Sequence, residues 1–308
     1  MSKATLATIA CLAISGIALH AQVPSIPKSA RASEVRLPSG TVALPFVMVR
    51  EYPFIEGEVA GVNGKLMLDT GMETSLALND HRVPLTTART IGTGFFGSGQ
   101  TYATKLTPIV TGIRIGPLPY PRATDVQTQD ATLLEGITPD FIGWVGYGFW
   151  RDRAMKLDYR RGLATFYDGA PSQYLAGEKV VATIPYRLGK LPNHPLVDIR
   201  IGGVAAVAAF DTGQYGTLYA DAATKRRLSG LKILTRNADG QRYDLGSWTI
   251  GGQRLTGISG LEVSDEPFAA AKPIGITSNT ILTIGYGFLK QYKTVWDFRN
   301  HTIYLLAR

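Results

Sequence analysis

Two stretches decide the reading of this chain: residues 65–75, KLMLDTGMETS, and residues 208–218, AAFDTGQYGTL. In each, an apolar run ends in Asp-Thr-Gly and the chain then turns. A carboxylate at the end of a strand that reads as buried needs a reason, because burying an uncompensated charge is costly. One such tripeptide in 308 residues says little. Two, each behind a strand-like run, raise the question of an internal repeat.

The repeat extends well beyond the tripeptides. Pro53-Phe54-Ile55-Glu56 aligns with Pro195-Leu196-Val197-Asp198 at a shift of 142. Gly61-Val62 with Gly203-Val204, and Asp69-Thr70-Gly71 with Asp211-Thr212-Gly213, keep that shift. Upstream, Leu44-Pro45-Phe46 matches Ile184-Pro185-Tyr186 at 140. Downstream, Gly146-Tyr147-Gly148-Phe149 matches Gly285-Tyr286-Gly287-Phe288, and Asp158-Tyr159-Arg160 matches Asp297-Phe298-Arg299, both at 139. Order is preserved and the shift drifts only between elements, as when loops of a duplicated unit change length. The repeat predicts two lobes, residues 42–168 and 181–308, joined by a linker over 169–180. Two copies of one unit pack about a pseudo-twofold axis.

Within each lobe the pattern is all-β. Residues 54–62 and 65–68 read as a hairpin turning at Asn63-Gly64, and residues 196–201 and 204–210 as its twin around Gly202-Gly203. Residues 147–153 and 286–292 read as short helices. Residues 155–158 with 164–167, and 294–297 with 302–306, read as closing hairpins. The expected architecture is two pseudo-twofold-related barrel lobes with the functional site at their interface.

Composition narrows the class. The 34 glycines and 17 prolines suit a turn-rich β protein. Residues 1–21 read as a secretory signal: Lys3, an apolar core and Ala18-Leu19-His20-Ala21 as the cleavage site. Residues 22–41 read as a lead segment, either a short propeptide or a flexible arm. The single cysteine, Cys11, lies in the signal, so the mature chain has no disulfide. Export without disulfides points to a bacterial periplasmic or secreted protein. After signal removal no stretch is apolar enough to form a stable membrane span. The formal charge of +8 is scattered, without a basic stripe interleaved with aromatics, which argues against nucleic-acid binding.

Two Asp-Thr-Gly turns brought face to face make a specific chemistry available. Like charges in a shared, partly dry site cannot both ionise easily, so one proton is shared. Such a pair activates a water with its ionised member and polarises a carbonyl with its protonated one. Asp69 and Asp211 are the catalytic candidates. Gly71 and Gly213 let the backbone amides approach the carboxylates. Thr70 and Thr212 carry hydroxyls able to bond across the interface.

On these residues the chain resembles the retropepsin and pepsin-type aspartic proteases, in a fused two-lobe form similar to bacterial domains of retroviral type. The apolar-Gly elements Val145-Gly146 and Ile284-Gly285, each followed by Tyr-Gly-Phe, extend the likeness over nearly all of the chain after residue 42. The resemblance implies an exported aspartic endopeptidase acting on a peptide or unfolded protein, without metal or other cofactor, as a monomer that is a fused pseudo-dimer. It implies that Gly146 and Gly285 thread beside the catalytic turns. It also implies a flap between turn and apolar-Gly element, for which residues 91–102, IGTGFFGSGQTY, are the candidate. Phe95, Phe96 and Tyr102 are then the substrate-touching side chains, and residues 235–243 form a more polar counterpart. The family usually follows D-T-G with Ser or Ala. Here Met72 and Gln214 stand there, and Ser75 and Thr217 supply the next hydroxyls. Of the two, Gln214 alone carries a strong donor, so the aspartates are expected in unlike environments.

The alternative from another class is a catalytically inactive peptide-binding or envelope scaffold protein with the same fold. Other chemistries are poorly served. Gly92-Thr-Gly94-Phe-Phe-Gly97 lacks the strand and helix that a dinucleotide fingerprint needs. His81, His194 and His301 are unclustered and mostly beside turns, with no metal-ligand spacing. Asp158 and Asp297 read as structural acids at turns.

Overall fold

A computed structural model describes residues 35–308 apart from Asp239. The expected signal peptide and residues 22–34 of the lead segment lie outside the described residues.

The first lobe runs through β1 (Val42–Pro45), β2 (Val47–Val49), β3 (Tyr52–Val59), β4 (Val62–Asp69), β5 (Leu76–Asn79), β6 (Arg89–Phe95), β7 (Thr101–Ile115), β8 (Leu118–Gln129), β9 (Phe141–Gly146), β10 (Ala154–Asp158) and β11 (Leu163–Tyr167). The second runs through β12 (Val180–Pro185), β13 (Arg187–Leu188), β14 (Pro195–Ile201), β15 (Val204–Phe210), β16 (Gly216–Tyr219), β17 (Leu234–Arg236), β18 (Tyr243–Leu245), β19 (Trp248–Ile250), β20 (Gln253–Leu255), β21 (Ile258–Ser264), β22 (Ile281–Ile284), β23 (Lys293–Asp297) and β24 (Thr302–Leu306). The protein is all-β with two barrel-like lobes.

In lobe one β3 pairs with β4 and also with β7, so the order β3-β4-β9-β5-β8-β7 closes on itself. Lobe two remains a curled open sheet. The pairings around the D-T-G turns repeat between lobes. Strand β4 pairs β9 in parallel and β15 pairs β22 in parallel. Strand β5 pairs β9 antiparallel and β8 parallel, while β16 pairs β22 antiparallel and β21 parallel. The buried runs Leu66-Met67-Leu68 and Ala208-Ala209-Phe210 therefore sit mid-sheet and deliver each aspartate at the end of a rigid strand.

A six-stranded sheet, β1-β11-β10-β23-β24-β12, joins the lobes. At its centre β10 and β23 pair antiparallel, with Lys156 opposite Val295 and Met155 opposite Trp296. Under the shift of 139 this pairing maps onto itself, so the pseudo-twofold passes beside Lys156 and Val295. Aromatic contacts obey the same symmetry. Tyr147 meets Phe298 at 4.9 Å between ring centroids, and their twins Tyr286 and Tyr159 meet at 5.4 Å. Phe46–Tyr159 at 5.9 Å has its twin in Tyr186–Phe298 at 6.1 Å. Each ring buries a large apolar area, so the lobes share one core.

Several expectations need correction. The first hairpin turns at Ala60-Gly61, both at positive φ, and not at Asn63-Gly64, which lies within β4 opposite Gly57 and Glu58. Two positive-φ residues give the turn whose twist suits a hairpin, and the Gly202-Gly203 twin has them too. The two short helices shrink to a 3-10 turn, Tyr147–Phe149, and a single turn, Tyr286–Leu289. The longest helix, Ala222–Gly230, carries no twin in lobe one and is capped by Asp221 accepting from the Thr224 amide. The described end of the lead segment is not loose. Val35 and Leu37 are buried, and Arg153 donates to the carbonyls of Pro38 and Gly40.

Among the described residues no helix is long and apolar enough to cross a membrane.

Candidate active site

The two D-T-G turns meet between the lobes. The Thr70 amide donates to Thr212 Oγ1 at 3.0 Å, and the Thr212 amide donates to Thr70 Oγ1 at 3.0 Å. Both threonines are buried, so these crossed bonds have little competition from water. Thr212 Oγ1 passes its own proton to the Leu68 carbonyl at 2.8 Å, whereas Thr70 Oγ1 donates to Asp211 Oδ1 at 3.4 Å. The symmetry of the turns is thus broken at the carboxylates.

The Gly71 amide bridges the pair: it lies 2.7 Å from Asp69 Oδ1 and 3.1 Å from Asp211 Oδ1. The Gly213 amide donates to Asp211 Oδ1 at 2.8 Å. A Cβ on Gly71 would meet Asp211 Oδ2 at 2.7 Å, and one on Gly213 would meet Asp69 Cγ at 2.5 Å. Both positions admit only glycine without a shift of the dyad. Burial pushes the Asp69 carboxyl well above the usual aspartate range, and the neighbouring Asp211 charge pushes it further, against the pull of the Gly71 and Met72 amides. Three donors converge on Asp211 Oδ1.

The apolar-Gly elements clamp the D-T-G loops from behind. The Gly146 amide donates to the Ser75 carbonyl, Tyr147 to Met72 and Gly148 to Glu73, at 3.2, 2.8 and 3.1 Å. In lobe two Tyr286 donates to Gln214 and Gly287 to Tyr215, at 2.9 and 3.0 Å. A Cβ on Gly285 would run into the Gln214 carbonyl. Ser75 and Thr217 line the cavity, but neither hydroxyl reaches an aspartate. The Thr217 backbone is instead tied to Thr283 Oγ1. The Gln214 side chain makes no hydrogen bond to Asp211 among the described residues, and Met72 packs on the Phe54–Phe141–Trp144 cluster.

A cavity of about 1240 Å³ surrounds the dyad. Phe95, Phe96 and Tyr102 all line it, on the hairpin of β6 and β7 that carries residues 91–102. Phe96 and Tyr102 are 4.7 Å apart between centroids, and Tyr102 lies over Gly94, its cross-strand partner. Phe95 crosses the cleft and packs on a lobe-two cluster that includes Leu196 and Ile274. The hairpin therefore spans both lobes. Its lobe-two counterpart is short, with Arg242 alone among the described residues of that segment on the cavity wall.

Three residues beside the dyad have no place in a motif search. The Asn193 side chain donates to the carbonyls of Thr70 and Gly71, at 3.0 and 2.8 Å, holding the lobe-one turn from lobe two. His194 and Tyr52 line the cavity and feel the Asp211 charge. Burial lowers the His194 imidazole despite that charge. The signal was available: at a shift of 142, Asn193-His194 stands opposite Glu51-Tyr52, directly before Pro195 and Pro53. Asp158 caps its turn through the Arg160 and Arg161 amides, and buried Asp297 bonds Tyr174 and Asn300, away from the cleft.

Among the described residues no group of three or more His, Cys, Asp or Glu could hold a metal ion. A comparison with protein-family models finds no match, and neither does a comparison with curated proteins.

Proposed function

We propose that this protein is an aspartic endopeptidase in which Asp69 and Asp211 hydrolyse a peptide bond through an activated water. The observation that carries the proposal is the Gly71 amide shared between Asp69 Oδ1 and Asp211 Oδ1 inside a crossed pair of buried threonines. Two carboxylates forced this close cost stability unless their shared proton is used.

In the reaction, the Asp211 carboxylate takes a proton from water as its oxygen attacks the amide carbon. Protonated Asp69 donates to the carbonyl oxygen, giving a neutral gem-diol. Collapse returns that oxygen to a carbonyl, breaks the C–N bond and delivers a proton to the leaving amine, restoring the one-proton pair. The substrate lies extended beneath the β6–β7 hairpin, its side chains alternating into the aromatic walls.

The test is cleavage of a complex mixture of unfolded peptides by the purified protein, with Asp211→Asn in parallel, from about pH 3 to about pH 8 to span a coupled pair. Cleavage that disappears in the variant supports the proposal. Absence of cleavage by the wild type throughout that range overturns it and favours a peptide-binding scaffold.

A further inference from the structure

The pseudo-twofold provides an internal control on the cleft: positions that began equal can be compared directly. Glu73 and Tyr215 are such a pair. Each carbonyl accepts the second amide of the following apolar-Gly element, from Gly148 in one lobe and Gly287 in the other. Each residue lies two places beyond the glycine of its D-T-G turn, and both side chains line the cavity around the dyad.

Their chemistry has diverged. The Tyr215 hydroxyl is committed to the Ser259 carbonyl at 2.7 Å. Its ring lies under Arg242 and Lys290, at 5.2 and 5.4 Å. Among the described residues, the Glu73 carboxylate has no hydrogen bond and no cation in salt-bridge range. Its neighbours on that wall are Tyr147 and Arg151. The Tyr147 phenol feels both Arg151 and Glu73, and the Arg151 guanidinium lies 3.9 Å from Asp152. Glu73 is exposed at the cleft wall, and the hydration it does lose there raises its carboxyl. Its charge stays open to a ligand cation, and the contact gains strength as a bound peptide excludes water from the cleft.

We propose that Glu73 makes the cleft selective for peptides with a lysine or arginine side chain on the lobe-one side of the scissile bond, with no matching preference on the Tyr215 side. The selection rests on the endopeptidase reading for its link to cleavage, but the recognition itself needs no turnover. A bound ammonium or guanidinium completes the Glu73 carboxylate with a charge-assisted hydrogen bond. On the opposite side the Tyr215 ring offers no carboxylate, and the Arg242 over it is paired with Glu51 at 3.5 Å.

Cut-site mapping by mass spectrometry tests this. Wild type should enrich Lys and Arg at one position within three residues of the cut by on the order of tenfold, the range of a charge-assisted contact. Glu73→Gln should abolish the enrichment, and Glu73→Lys should replace it with Asp and Glu at the same position. A wild-type cut pattern indifferent to charge, or one unaltered by either substitution, overturns the inference while leaving the hydrolase reading intact. If wild type cuts nothing, the hydrolase reading falls, and equilibrium binding decides the inference. Fluorescent peptides differing only by lysine or norleucine at a single position would be titrated against wild type and Glu73→Gln. Tighter binding of the lysine peptide that is lost in the variant supports it, and equal binding overturns it.

Discussion

Thr70 and Thr212 each donate a backbone amide to the other's hydroxyl, both at 3.0 Å, across the boundary between the lobes. This reciprocal contact couples the two D-T-G turns directly.

Replacing either threonine with valine removes a hydroxyl and leaves a buried amide unsatisfied. Each single variant should lose about 1–3 kcal/mol of unfolding free energy. The double variant should lose less than the two together, because each bond pair shares its geometry. Denaturant titrations of the three variants measure this, and strict additivity would show the turns to be independent.

The raised Asp69 carboxyl has a sign that can be checked by stability. Folded Asp69 holds its proton more tightly than the unfolded chain does, so this group stabilises the fold most below the ordinary aspartate value of 3.8. That contribution is lost as pH rises through the raised folded value. Relative to wild type, Asp69→Asn should therefore gain stability with increasing pH over this window. Urea midpoints for both proteins at a series of pH values give the comparison, and parallel curves would contradict the shared-proton arrangement.

Gly213→Ala places a methyl within 2.5 Å of Asp69 Cγ. The backbone there is not in the left-handed region, so the chain should still fold. The carboxylate must move, and a displacement near an ångström should lower turnover by about 100-fold. Circular dichroism with peptide cleavage separates the two effects: native-like spectra with undiminished turnover would refute the packing argument.

Phe95→Ala removes the ring that carries the β6–β7 hairpin onto the lobe-two cluster. Expected outcomes are a several-fold higher KM and faster nicking between residues 97 and 100 by an added protease. Unaltered nicking would mean that Phe95 does not hold the hairpin down.

The repeat made most of the site legible. Asp69, Asp211 and their glycines and threonines follow from two aligned copies of one pattern. The place of Gly146 and Gly285 beside those turns, and a hairpin bearing Phe95, Phe96 and Tyr102, were implied by the family resemblance. Features set by long-range packing were harder to see. Asn193 acts on Thr70 and Gly71 from 122 and more residues away, through backbone carbonyls that carry no sequence signature. The turn at Ala60-Gly61 was masked because Asn63-Gly64 is the stronger local signal, while Gly64 is needed where β4 passes the Asp140 carbonyl. Ser75 and Thr217 line the cavity, yet among the described residues neither hydroxyl is hydrogen-bonded to the dyad.

The antiparallel seam at Lys156 and Val295 joins two lobes that one polypeptide already links. A two-chain version of this site would fall apart on dilution, and each of its codons would be expressed in both halves at once. Fusion makes assembly of the two lobes independent of concentration. It also lets selection alter one wall at a time: Glu73 and Tyr215 have parted company while the threonine cross between them has stayed the same.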